Sequence, residues 1–156
     1  MRRSLYADRH ATIGQSLLST AFCLMRLEQH SEALALFAEF VDMQCTSDDD
    51  VQEGIVEALK RMAHCYEQTR QFPLAIAAYL RALEVTRRDH NQQDCLLECA
   101  RLFESIGLAY CAMDEFEKAL DFLNRTLEIR QKTSGVVVEQ SSVAVALRNV
   151  GECQRR

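Results

Sequence analysis

The sequence is short of chain breakers: its 156 residues include five glycines and one proline. An all-β domain needs frequent turn residues, and disordered segments run rich in proline, glycine and charge, so the shortage argues against both. The single proline, Pro73, falls where a short turn between helices is expected, and proline is tolerated in a first helical turn. No apolar run approaches the roughly 18 residues of a membrane span. The opening Met1-Arg2-Arg3-Ser4-Leu5-Tyr6-Ala7-Asp8 lacks the apolar centre of a signal peptide. The expectation is a soluble, cytoplasmic, all-helical domain.

Negative charge outweighs positive, with 23 Asp and Glu against 18 Lys and Arg. Net charge is −5 and the pI about 5.4, which leaves no basic face for nucleic acid. Arg2, Arg3 and Arg9 at one end and Arg155 and Arg156 at the other read as solvated termini.

Seven cysteines make an odd number for a disulfide framework. Cys23, Cys65, Cys99 and Cys111 stand among apolar residues at helical spacing, where cysteine packs as a small hydrophobe. Cys95 and Cys99 share a helix face near His90, but a structural zinc site wants four ligands and no second pair is present. The sequence therefore implies no metal and no cofactor.

What is abundant is repetition. Three segments, S-E-A-L-A-L-F, P-L-A-I-A-A-Y and E-K-A-L-D-F-L, align on Ala33, Ala75 and Ala119, which are 42 and 44 residues apart. Four residues after each alanine stands a large apolar side chain, Phe37, Tyr79 or Leu123. Twelve residues before each stands a small one, Ala21, Ala63 or Gly107, followed at three residues by Leu24, Tyr66 or Tyr110. A further step of 44 residues from Gly107 reaches Gly151, with Leu147 four residues before it.

Paired small residues let two antiparallel helices approach closely. Tyr66, Tyr110, Tyr79 and Leu123 are then expected to fill space toward the next repeat. A helix pair of this kind cannot bury both its faces alone, so the pairs must stack.

The helix ends agree with this. Thr46-Ser47-Asp48-Asp49-Asp50 offers N-cap groups for a helix from about Val51, and the calcium loop that three acids suggest lacks its glycine and distal glutamate. Asp114, three residues before Glu117, reads as a capping box, and Thr133-Ser134-Gly135 as a stop. Phe116, Leu120, Leu123 and Leu127 form one apolar stripe, while Asp121 with Arg125 and Glu84 with Arg88 are spaced as surface ion pairs. Helices are expected at 6–28, 31–45, 51–70, 72–88, 92–112, 115–132 and 138–155: three pairs in one domain, then a seventh helix.

Gly107-Leu108-Ala109-Tyr110 followed by Ala119 and Leu123 resembles the tetratricopeptide repeat, and the resemblance runs from about Gly14 onward. Leu24 and His30 replace aromatics in the first unit (compare Phe72 and Phe116), and Cys45, Arg87 and Gln131 stand where a closing proline is common. The step exceeds the usual ~34 residues and is similar to that of kinesin light chains and of Pins-type regulators of G proteins.

The resemblance implies a right-handed α-solenoid of about three and a half repeats, with a concave groove lined by the first helix of each pair. Carried onto this chain, the groove positions are Gln15, Leu18, Phe22, Met25 and Arg26, then Glu57, Lys60, His64, Glu67 and Gln68. Arg101, Glu104, Leu108, Cys111 and Ala112 follow, and the seventh helix adds Val145, Arg148 and Glu152. Leu18, Phe22 and Met25 form either an apolar landing strip in the groove or a surface packed against another segment. The clamp that some such domains use for a C-terminal carboxylate maps to Leu18, Phe22, Arg61, Arg101 and Ser105, where Arg101 alone fits, so that subtype is not expected.

His64 and Cys65 invite a catalytic dyad, but neighbouring helix residues point about 100° apart. The expected function is a non-catalytic adaptor or scaffold that binds a peptide or helix of a partner protein within a larger assembly in the cytoplasm, with a cytoskeletal setting that the resemblance in repeat length alone suggests. The seventh helix, with Val143, Ala146, Leu147 and Val150 on its buried side, reads as a cap, and the rival reading is a structural spacer that self-associates through its ends, its dimer contact resting on Leu147 and Val150.

Overall fold

In the computed structural model, residues 2–45, 52–88 and 92–133 are described, together with the single positions 148, 151 and 155. Their elements are α1 (Arg2–Arg26), α2 (His30–Cys45), α3 (Gln52–Gln68), α4 (Phe72–Arg88), α5 (Gln92–Ala112) and α6 (Phe116–Thr133). Six expected helices are found with ends shifted by up to four residues. The seventh, over 138–155, lies outside the described residues apart from Arg148, Gly151 and Arg155, as do the Thr46–Asp50 cap, Ser134 and Gly135.

Each helix packs on the next in chain order, which is the arrangement of an α-solenoid. The small residues sit where helices meet: Ala21, Ala63, Ala33 and Ala75 are fully buried, and Ala119 is 1 % exposed. Around them Phe37, Leu59, Leu102 and Ile106 are the largest fully enclosed side chains. The glycine of the third unit is required by its partner, since a methyl group on Gly107 would lie 2.8 Å from Leu123 Cγ and 3.3 Å from the Ala119 carbonyl oxygen. The units that place the flat rings of Phe37 or Tyr79 at that position carry alanine instead.

The three hairpin turns are built alike. Glu28, Arg70 and Asp114 all adopt left-handed backbone, with φ of 61°, 59° and 61°. The next residue's N–H reaches back five places in each case: Gln29 to the Leu24 carbonyl, Gln71 to Tyr66 and Glu115 to Tyr110, at 3.0, 2.8 and 3.0 Å. Glu28, Arg70 and Asp114 themselves donate to the carbonyls of Met25, Glu67 and Cys111, completing a Schellman closure of each first helix.

That geometry corrects the capping box expected at Asp114. A residue that closes one helix in left-handed backbone cannot also take the extended backbone of an N-cap. Glu115 begins α6 instead, its carbonyl accepting the Ala119 N–H at 3.1 Å.

The Tyr110 ring stacks on Phe122 of its own hairpin, with centroids 5.6 Å apart, and the following repeat it is expected to face lies outside the described residues. One further expectation changes. Cys23 is exposed, because it stands two residues, about 200°, from buried Ala21 around α1. Cys65 and Cys99 do pack in the core, and burial raises the Cys65 thiol's pKa.

Candidate functional site

The first helices of the pairs share one face, and α3 meets α5 there directly. Lys60 Nζ on α3 lies 2.6 Å from Glu98 Oε1 on α5. Lys60 also contacts Glu57 at 3.3 Å, Glu57 accepts from Arg61 Nε at 2.6 Å, and Glu98 accepts from Arg101 at 3.3 Å. The result is one chain of alternating charge, Arg61–Glu57–Lys60–Glu98–Arg101, spanning two repeats. Burial opposes the charge on Glu57, but the Arg61 hydrogen bond and the Lys60 and Arg61 charges outweigh it and lower the pKa. Burial likewise opposes the charge on Lys60, and Glu98 with Glu57 raises its pKa nonetheless.

A second polar group lies at the other end of α3. Glu67 is held above the usual carboxylate range by burial, offset in part by the Tyr79 hydroxyl and by His64, whose Nδ1 is 3.7 Å away. Tyr79, buried between α3 and α5, is pushed well up by that burial and by the Glu67 charge, while Ser105 on α5 bonds its hydroxyl. Ser105 in turn donates to the Arg101 carbonyl at 3.2 Å.

The expected groove residues divide into open and occupied ones. Arg101 is 69 % exposed at the side chain, His64 48 %, and Leu108 stands open beside them. Lys60 is held between two carboxylates, and Glu104 is paired with Arg130 of α6 at 2.7 Å. Leu18, Phe22 and Met25 are half-buried and pack on the core. Phe22 meets Phe37 edge-on at 5.6 Å, and the Arg61 guanidinium lies over its ring at 5.4 Å. The strip is therefore partly spent on the fold. Gln15, Arg26, Gln68 and Ala112 are exposed and Cys111 is half-buried, while Arg148 is exposed and Val145 and Glu152 lie outside the described residues.

Two participants were not singled out by sequence: Glu98 joins the two repeats, and Leu97 stands exposed one turn before Arg101. Tyr79, expected only to fill space, also bridges Glu67 and Ser105. The spacing Leu97, Arg101, Glu104, Leu108 is one helical face at steps of four, three and four, a signal that was present in the sequence.

Among the described residues no group of three or more His, Cys, Asp or Glu side chains could hold a metal ion. Cys95 donates to the Thr86 carbonyl at 3.1 Å, and the Cys99 thiol is pushed up to about 11 by burial and then by Cys95, against Arg87. His90 lies outside the described residues. His64 is exposed while its neighbour Cys65 is fully buried, so the two point to different sides of α3. No described helix is long and apolar enough to cross a membrane.

The sequence profile of the tetratricopeptide repeat matches residues 54–132, just over half of the chain. The chain belongs to the tetratricopeptide-repeat family. Repeats of this family are generally non-catalytic protein-interaction modules. The fold is similar to that of BtubC (BKLC) from P. vanneervenii, with a TM-score of 0.71 at 18 % identity, covering 97 % of this chain and 59 % of that one. The chain thus spans less than two thirds of BtubC. It is also similar to MamA, with a TM-score of 0.59 at 21 % identity, covering 99 % of this chain and 72 % of MamA. A third likeness is to the C-terminal tetratricopeptide-containing domain of a Plasmodium falciparum FK506-binding protein, with a TM-score of 0.62 at 15 % identity, covering 96 % and 95 %. No curated protein sequence matches the chain.

Proposed function

We propose that this tetratricopeptide-repeat chain is a non-catalytic adaptor that takes a peptide or helix of a partner protein on the face shared by α1, α3 and α5. The observation that carries the reading is the open stripe Leu97, Arg101 and Leu108 on α5, with His64 of α3 exposed on the same side. The charges beside it are largely satisfied among themselves, so recognition rests on the two leucines and on Arg101, whose guanidinium has donors left beyond its single bond to Glu98. The setting is a larger assembly in the cytoplasm, and the repeat length, similar to that of kinesin light chains, fits a place near the cytoskeleton.

A photo-crosslinking residue placed at Leu108, with Asn124 on exposed α6 as control, tests this in cells that make the protein. The expected result is a discrete adduct from position 108 that is lost on Arg101→Glu and absent from position 124. Equal labelling from both positions would sink the reading.

A further inference from the structure

The outer side of the first hairpin carries an open cleft of about 250 Å³, formed by Thr12, Ile13, Ser16, Leu17 and Thr20 of α1 with Leu36 of α2. The repeat step identifies what this cleft is. Steps of 42 and then 44 residues carry Ile13 to Ile55 and Cys99, Ser16 to Ala58 and Leu102, Leu17 to Leu59 and Phe103, and Thr20 to Met62 and Ile106. Of these equivalents, Ala58, Leu59, Cys99, Leu102, Phe103 and Ile106 are all at most 5 % exposed, whereas Ile13 is 51 % exposed.

The cover over those equivalents is the second helix of the preceding unit. Helix α2 packs on α3, and α4 packs on α5. At the α4–α5 seam the Arg87 guanidinium lies 5.8 Å over the Phe103 ring, and Cys95 bonds the Thr86 carbonyl. The cleft on α1 is therefore half of an interface that the chain completes twice within itself.

We infer that this cleft docks one amphipathic helix of a partner protein, seated against α1 as α2 sits on α3 and α4 on α5. This surface is separate from the α1, α3 and α5 face. The occupant's dimensions follow from α2 and α4, which are 16 and 17 residues long. None of the six lining residues is charged, so the contact face of the docked helix is apolar and its binding insensitive to salt.

The hydroxyls do not oppose this. Ser16 donates to the Thr12 carbonyl at 3.0 Å and Thr20 to the Ser16 carbonyl at 2.8 Å, so covering them strands no donor. A second copy is the poorer occupant by the same stacking logic. Its α2 and α4 are already covered by α3 and α5.

The test uses the full chain and a fluorescein-labelled peptide of residues 72–88, the helix that covers α5, followed by anisotropy. Saturable binding is expected, weakened at least about tenfold by Ile13→Asp and changed less than about twofold by raising NaCl from about 0.05 to 0.5 M. Ile13 is solvent-exposed in the free chain, so Ile13→Asp should leave the melting temperature unchanged, which separates lost docking from lost folding. Absence of saturation up to about 1 mM peptide, or equal affinity for the Ile13→Asp variant, would overturn the inference. Concentration-dependent dimerisation of the chain alone, abolished by Ile13→Asp, would overturn it in favour of a second copy.

Discussion

Gly107 and Leu123 are fitted to one another: the space a methyl group would need on α5 is filled by the branch point of a leucine on α6, 2.8 Å from the position of that methyl. Two opposing effects act on Gly107→Ala. Alanine gains about 0.5–1 kcal/mol of helix propensity over glycine, while overpacking a tight core costs about 1–3 kcal/mol. With the contact this short, overpacking wins, and a net loss of about 1 kcal/mol is expected by chemical denaturation. In a Leu123→Ala background the same substitution should become neutral or stabilising, and a loss of equal size in both backgrounds would show that Leu123 is not the cause.

His30 occupies the turn position that Phe72 and Phe116 hold in the other units, and its Nδ1 is buried without a hydrogen-bond partner. A stranded polar atom costs about 1–3 kcal/mol. His30→Phe should therefore raise stability by about 1 kcal/mol, seen as a melting temperature about 2–4 °C higher. An unchanged or lower melting temperature would mean the pocket needs the imidazole.

Glu67 gives a dependence on pH whose sign is fixed by its surroundings. Burial raises its pKa above the ordinary 4.5, so the folded chain holds this proton more tightly than the unfolded one. Its contribution is complete below pH 4.5 and is lost as pH rises through the raised folded value, which leaves a penalty at neutral pH. Glu67→Gln keeps an acceptor for the Tyr79 hydroxyl without the charge. Its melting temperature should exceed wild type at pH 7 and converge with it toward pH 4, whereas a constant offset would exclude desolvation as the cause. Glu57 runs the other way: its lowered pKa makes its contribution present above 4.5 and lost on acidification, so Glu57→Gln should cost more at pH 7 than in acid.

The stack was readable because helix packing writes itself as spacing. Ala33, Ala75 and Ala119 recur with Ala21, Ala63 and Gly107 at fixed offsets, and each of these residues is buried. The turns were less readable. A left-handed residue announces itself when it is glycine, and here the three positions carry Glu28, Arg70 and Asp114.

The face was legible only in outline. The alignment marked Lys60, but its partner Glu98 is 38 residues away, and no local pattern joins them. Phe22 reads in sequence as either landing strip or packing surface, because the Arg61 guanidinium that covers it comes from another helix. Leu97 followed the periodicity of its own helix and was passed over because the family pattern did not mark it.

The three left-handed turns also define a natural joint. Glu28 and Arg70 close their helices with the same bonds, and Gln29 and Gln71 follow them in the same role. A chain cut after Glu28 and rejoined at Gln71 would present the Leu24 carbonyl to the Gln71 N–H with nothing in the turn rebuilt. The molecule thus has a grain, along which whole modules can be removed or added while a cut elsewhere tears a helix.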